Sequence, residues 1–218
     1  MTAWLRHRLN PRYAWLPDDF FGKAVRILDA GAGKDDARIA KALFADCRFE
    51  GYNIADIGDA RASGFDVYHR TDLNRSDLAG SPDRAYDYVV SSHTQEHLED
   101  GRHLVARLCD KVKPGGYLYL EWPSEKSRYF PLRGFGLNFF DDPTHVRTFA
   151  PEEIAGIARA QGFDIDHAGY RRMWLRILLS PALIVIHSLR NRRLVLYDWW
   201  DLTGFCCVVR ARRRAYRG

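Results

Sequence analysis

Short apolar runs recur along the chain, each bounded by glycine, proline, aspartate or asparagine, with amphipathic stretches between several of them. The runs predict strands near Val25–Ala30, Arg48–Ile54, Asp66–His69, Tyr86–Ser91 and Gly116–Trp122. The stretches between them predict helices near Asp36–Ala45, His97–Lys111 and Pro151–Gln161. The last of these opens on a first-turn proline and stops before Gly162. Lys113-Pro114-Gly115-Gly116 leaves no room for a helix and reads as a turn feeding a strand. Phe163–Tyr170 and Phe205–Arg210 predict two further strands. Strands alternating with helices imply an α/β fold, a mostly parallel sheet with helices on both faces.

Two parts break the rhythm. Residues 123–150 form a long connection rich in aromatics and glycine, including RYFPLRGFGLNFFDDPTH. Loops of this length are usually functional or disordered, and the aromatic content points to an active-site lid. Residues 171–202 form an insertion before the last strand, whose core, Ile177 to Leu189, is uncharged and interrupted by Pro181. It is too short to span a bilayer, which needs roughly 20 apolar residues. It fits a buried helix, the preferred expectation, or a peripheral membrane contact with flanking Arg and Trp at the headgroups.

Composition narrows the class. With 218 residues the chain fits a single domain, 1–218, and 46% hydrophobic with 28% charged residues is ordinary for a globular protein. Cys47, Cys109, Cys206 and Cys207 have no metal or redox spacing, and the adjacent pair falls in an apolar strand run. That usage suits a reducing cytoplasm, and the N-terminal MTAWLRHRLNPRYAWL has no signal-peptide core. The net charge of +5 is unevenly placed. Residues 171–218 carry eleven arginines against Asp198 and Asp201, a balance of +9, so the rest of the chain sums to −4. A basic end beside an acidic domain fits an anionic partner, the inner face of a membrane, nucleic acid or a phosphorylated substrate, or simply a solvated terminus.

The richest segment for chemistry is VRILDAGAGKDD, Val25 to Asp36: a strand, an acid, and a glycine turn entering a helix. Glycines let backbone approach a ligand, and the helix start offers N–H groups to negative groups. A dinucleotide fingerprint fails because its third glycine falls at Asp36. A phosphate-binding P-loop fails because Leu28 replaces its first glycine and Asp35 its Ser/Thr. A purely structural turn remains open on the loop alone.

Asp29-Ala30-Gly31-Ala32-Gly33 resembles the D/E-x-G-x-G loop of S-adenosylmethionine (SAM)-dependent methyltransferases, although a further glycine usual there is absent at Lys34 and Asp35. GYNIAD, HRTDLN, YDYVVSSHTQEHL, KPGGYLYLEWP and GFDI follow in the order of the class I family. The resemblance spans residues 22–170 and the last strand. It implies a Rossmann-like seven-stranded sheet whose final strand is antiparallel and inserted beside the sixth. By the same resemblance, Asp29, Gly31 and Gly33 hold the methionine end of SAM. Asn53, or Asp56 three residues on, holds the ribose, Asp72 with Leu73 contacts the adenine, and Ser91, at the fourth strand's end, is a further cofactor contact. Without the family, Asp72 reads as a turn residue.

Methyl transfer from a sulfonium depends on alignment of nucleophile, methyl and sulfur, and a hydroxyl nucleophile must also lose its proton. The candidates beside the cofactor are His93, Glu96, His97 and Glu121, with His145 on the long loop. On a helix, His93 would share a face with Glu96 or His97. With His145 they resemble the E-x-x-E-H…H magnesium site of small-RNA 2′-O-methyltransferases and the E-x-x-E-H segment of ubiquinone-pathway O-methyltransferases. His93 in place of the first Glu would favour a softer divalent metal than magnesium. The aromatic lid fits a small-molecule or glycan acceptor with a flat or sugar-like face. Arg128, Arg133 and Arg147 fit an anionic one. RNA is disfavoured because no appended RNA-binding module is present. A SAM-binding scaffold or sensor of a membrane-associated complex is the non-enzymatic alternative.

Overall fold

The computed structural model describes residues 7–44, 46–194 and 196–215. Residues 1–6 of the stretch read for a leader, Ala45 at the expected end of the first helix, and Val195 in the insertion lie outside the described residues. Seven strands form one sheet: β1 (Arg26–Ala30), β2 (Arg48–Asn53), β3 (Val67–Arg70), β4 (Tyr86–Ser92), β5 (Val112–Pro123), β6 (Phe163–Tyr170) and β7 (Cys206–Arg213). Their order is β3-β2-β1-β4-β5-β7-β6, with β7 antiparallel to both neighbours and all other pairs parallel. This is the Rossmann-like sheet expected. Its strand order reverses between β1 and β4, where such sheets open a crevice at their carboxyl ends.

Alternation along the strands divides the core in two. Leu28, Val89, Leu118 and Leu120 point to one face, and Ile27, Tyr88, Val90 and Tyr119 to the other. The first face is covered by Leu104, Val105 and Leu108 of α2 (Gly101–Lys111) and Ile154, Ala155 and Ala158 of α3 (Pro151–Ala160). The second is covered by Ala37 and Ala40 of α1 (Asp36–Leu43) and by Tyr13, Leu16 and Phe20.

Two local expectations are corrected. The helix expected from His97 begins at Gly101, because Asp100 caps it by accepting from the His103 amide at 3.1 Å. Gln95–His97 is a separate 3-10 turn. The Lys113–Gly116 turn lies inside β5, where the register against β4 shifts between Tyr86 and Tyr88.

The insertion contains α4 (Trp174–Asn191), which runs through Pro181. Proline has no N–H for the Ile177 carbonyl, and the Ser180 hydroxyl donates to it instead at 2.8 Å. The burial expected for this helix holds on one side only. Ile184 packs with Leu137 and Leu196, against Phe130, Phe135, Trp199 and Trp200, while Trp174, Leu178, Val185, Ile186 and Leu189 are exposed. The long loop is folded against that inner side. Asp141 accepts from the Gly134, Gly136 and Asn138 amides. Gly136 has φ +79°, and a Cβ there would lie 2.2 Å from the Tyr197 ring.

Leu118 is fully buried beneath α2 and α3. Replacing it with alanine leaves a cavity that the close-packed sheet fills only in part. Leu118→Ala is expected to lower the unfolding free energy by ~2–5 kcal/mol, read from urea titrations. A cost below ~1 kcal/mol would show that the site collapses freely.

Candidate active site

The carboxyl ends of β1, β2 and β4 border a cavity of about 320 Å³ lined by Gly31, Asn53, Asp72, Leu73, Thr94 and others. Gly31 has φ +91°, and a Cβ would sit 1.8 Å from the Thr94 hydroxyl oxygen, so no other residue fits there. That hydroxyl donates to the Ala30 carbonyl at 3.0 Å. Asn53 is braced by donating to Ala32 O and accepting from the Ala55 amide. Asp72 accepts from the Asn74 amide at 2.9 Å, an Asx turn, so it is a turn residue and a cavity wall at once. Asp56 is instead exposed and paired with Arg70 at 2.8 Å, and does not line the cavity. Ser91 is also outside it: fully buried, with its hydroxyl donated to Ala30 O.

A neighbouring cavity of about 300 Å³ is lined by Arg12, Asp36, Ser92, His93, Glu121 and Arg171. At its edge Arg12 Nη1 bridges Asp29 at 3.2 Å and Asp36 at 2.9 Å. Asp29 is 1% exposed. Burial pushes its carboxyl up to about 7, with Arg12 pulling down and Asp36 pushing up. Two carboxylates thus share one guanidinium, and the place is short of positive charge. The Gly33 amide, expected to face a cofactor carboxylate, donates to Asp36 at 2.7 Å.

His93 lies where these two cavities meet a third. Its φ of +56° is uncommon for a residue with a Cβ and breaks the backbone between β4 and the 3-10 turn. The ring therefore does not share a helix face with His97. Its Nδ1 meets Glu96 at 3.1 Å and its Nε2 meets Glu121 at 3.1 Å. Glu121 is held ionised and only accepts, and with its charge at Nε2 and Glu96 at Nδ1 the ring favours the doubly protonated imidazolium. Burial opposes this charge, but Cys206 at 3.6 Å, Glu121 and Glu96 raise the ring well above its ordinary value. Burial works against Glu121 too, yet Arg171, His93 and Tyr119 hold it well below the usual carboxylate range. Arg171 bonds Glu121 at 2.9 Å and grips both oxygens of Asp201 at 3.0 and 2.9 Å.

The third cavity, about 610 Å³, is lined by His97, Asn138, Asp142, His145, Tyr197, Trp200 and others. Here the expected four-ligand set divides: Glu96, His97 and His145 bring ligand atoms within 4.8 Å of one another, while His93 belongs with Glu121 and Cys206. Hydrogen bonds set both tautomers. The Thr144 hydroxyl donates to Asp142, so it accepts from His97 Nδ1 at 2.8 Å. The Phe139 carbonyl accepts from His145 Nδ1 at 2.6 Å. In the neutral tautomer each Nε2 then carries the lone pair. Glu96 Oε2 is buried with no hydrogen-bond partner. Arg128 and Arg133 lie over Phe140, and neither they nor Arg147 line this cavity. The arginine grip expected for an anionic acceptor is thus absent from its walls.

A methyltransferase-domain family model matches residues 2–168. The chain belongs to the class I SAM-dependent methyltransferases. The ubiquinone biosynthesis O-methyltransferase of Paraburkholderia phymatum is 27% identical over 203 residues, covering 86% of this chain and 87% of its own. That of Leptothrix cholodnii is 26% identical over 201 residues, covering 82% and 85%. Among solved structures, a SAM-dependent methyltransferase from Mesorhizobium loti superposes with TM-score 0.61 at 19% identity, covering 94% of this chain and 99% of its own. One from Archaeoglobus fulgidus gives 0.59 at 22%, covering 97% and 95%.

The motif order in this methyltransferase pointed to Gly31, Asn53, Asp72 and Leu73 for the cofactor, and the structure places all four on the walls of one cavity. It missed Arg12, Thr94 and Arg171. Arg12 lies in an N-terminal run of basic and aromatic residues with no motif around it. Its one signal was the buried Asp29, which needs a cation.

Glu121→Gln removes the charge that joins His93 to Arg171. It is expected to destabilise the fold by ~3–5 kcal/mol in chemical denaturation. The His93 contribution, whose folded pKa is raised, is full below the unfolded value of about 6.5 and is lost as pH rises through the folded value. In the variant that loss is expected at lower pH, read by NMR titration of the His93 ring. An unmoved titration would mean that Glu121 does not hold the proton.

Proposed function

We propose that the protein transfers a methyl group from SAM to an oxygen of a small, hydroxylated acceptor with a flat or sugar-like face. The observation that carries this is the meeting of three cavities at His93. The polar walls of the first suit a nucleoside, the second holds the Asp29–Arg12–Asp36 cluster, and the third has aromatic walls and two imidazole lone pairs. SAM supplies an electrophilic methyl on its sulfonium.

In the proposed arrangement Asn53 holds the ribose and Asp72 with Leu73 flanks the adenine. Asp29 takes the amino group, supplying the contact for which the two carboxylates are one cation short, and Arg12 takes the carboxylate. Trp200, Tyr197 and Phe205 form the flat wall for the acceptor. His93 already carries both protons, so it orients and polarises rather than deprotonates. His145, with His97 beside it at a ring distance of 4.7 Å, receives the acceptor proton on Nε2. The O-methyltransferase relatives support oxygen as the acceptor atom.

A second reading has a specific observation behind it. Glu96 Oε2 is a buried acceptor with no donor, beside two imidazoles whose far nitrogens are held by oxygens, as metal-ligating histidines are. The residues fit a divalent metal held by Glu96, His97 and His145, of the softer kind that imidazole suits. Bound there, it would lower the pKa of an acceptor hydroxyl.

Calorimetry is expected to show SAM and S-adenosylhomocysteine binding, lost in Asp29→Asn and Arg12→Ala. Purified protein given SAM and a panel of phenols, sugars and RNA is expected to methylate a hydroxylated small molecule. His145→Ala should lower kcat by ~10²-fold or more with SAM affinity unchanged. SAM binding without turnover in the panel and in native extract would favour a scaffold. Metal content of the purified protein, and its loss in His97→Ala, decides the second reading.

A further inference from the structure

α4 presents to solvent an apolar side that the fold does not use. Trp174, Leu178, Val185, Ile186 and Leu189 recur at helical spacing and are 56–77% exposed. Between Arg176 and Arg190 the helix carries no Asp, Glu, Lys or Arg. The ionisable groups on its other side face inward, Arg176 to Asp198 and Asp201, and His187 to Asp198.

Positive charge brackets this stripe. Beyond its carboxyl end, Arg190, Arg192 and Arg193 are exposed and form no ion pair among the described residues. At its amino end a cavity of about 280 Å³ is lined by Arg8, His167, Arg172, Trp174 and Arg210, and no acidic residue is among its described walls. Arg210 Nε is buried there without a hydrogen-bond partner. The 18-residue helix is about 27 Å long, and no helix among the described residues is long and apolar enough to cross a membrane.

We propose that α4 docks the protein on an anionic lipid surface. The apolar stripe lies at the headgroup–acyl boundary, Trp174 sits at its edge, and the two arginine groups meet lipid phosphates. A helix lying in the interface needs an apolar face, cations beside it and no acid on it, and α4 has all three. A second copy fits the surface poorly, since pairing these stripes would face arginine clusters with one another or with the basic cavity. The proposal uses none of the residues assigned to methyl transfer.

Flotation of the full chain with vesicles tests it. The protein is expected to float with phosphatidylcholine–phosphatidylglycerol vesicles, weakly with phosphatidylcholine alone, and less as salt rises. Leu178→Glu with Val185→Glu, and separately Arg190→Gln with Arg193→Gln, should each lower partitioning about tenfold or more. SAM binding by calorimetry should be unchanged in both, which shows that they fold and separates this surface from the methyl-transfer site. No flotation of the unaltered protein with anionic vesicles overturns the proposal, as does equal flotation of the glutamate variant. A dimer in sedimentation that the glutamate variant converts to a monomer, without vesicle binding, would assign the stripe to self-association.

Discussion

The site depends on a buried carboxylate at the end of β5. Glu121 is 2% exposed and accepts from Arg171, His93, Tyr119 and Ser92. A charge so removed from water is costly, and only a full set of donors offsets that cost. Those donors come from β4, β5 and the chain leaving β6, so Glu121 ties together the ends of three strands, one of which lies beyond β7. Arg171 extends the junction to Asp201, which also accepts from Arg176 and the Met173 amide. The insertion is thereby tied to the carboxyl end of the sheet by charge as well as by its small apolar core.

The junction also separates the polar groups around the crevice into two kinds. His93, held by carboxylates on both nitrogens, is a fixed positive charge. His97 and His145, held by a hydroxyl and a carbonyl, keep lone pairs turned from their anchors. The left-handed backbone at His93 makes this separation possible, because it turns the ring toward Glu121 while the next residues turn toward the long loop. Residues 93–97 thus supply one cation and two of the three candidate ligands, His145 coming from the long loop.

Much of the fold was legible in the sequence. Continuous apolar runs bury both faces of a parallel sheet, and the seven strands fall within a few residues of where the pattern puts them. One cavity of the crevice was legible for a related reason. Gly31, Asn53, Asp72 and Leu73 are set at strand ends, where local chain geometry decides position. Asp56 and Ser91 fall outside that cavity because adjacency along the chain does not say which side chain turns inward. Asp56 has Arg70 across an exposed turn, and Ser91 has the Ala30 carbonyl in the neighbouring strand.

Side chains brought together from distant segments were not legible. Arg12 reaches Asp29 and Asp36, Arg171 reaches Glu121, and His145 joins His97 across 48 residues, contacts that no local pattern encodes. The insertion divides in the same way: the sequence showed an uncharged helix-length core, but only packing chose which side faces Leu137 and which faces solvent. By itself the sequence determined the alternation of elements, the glycine turn and the cofactor class, because these follow from periodicity, backbone sterics and local motifs. The tertiary structure decided the protonation of His93, the two groupings of candidate ligands and the exposed face of α4, because these depend on which groups meet once the chain has folded.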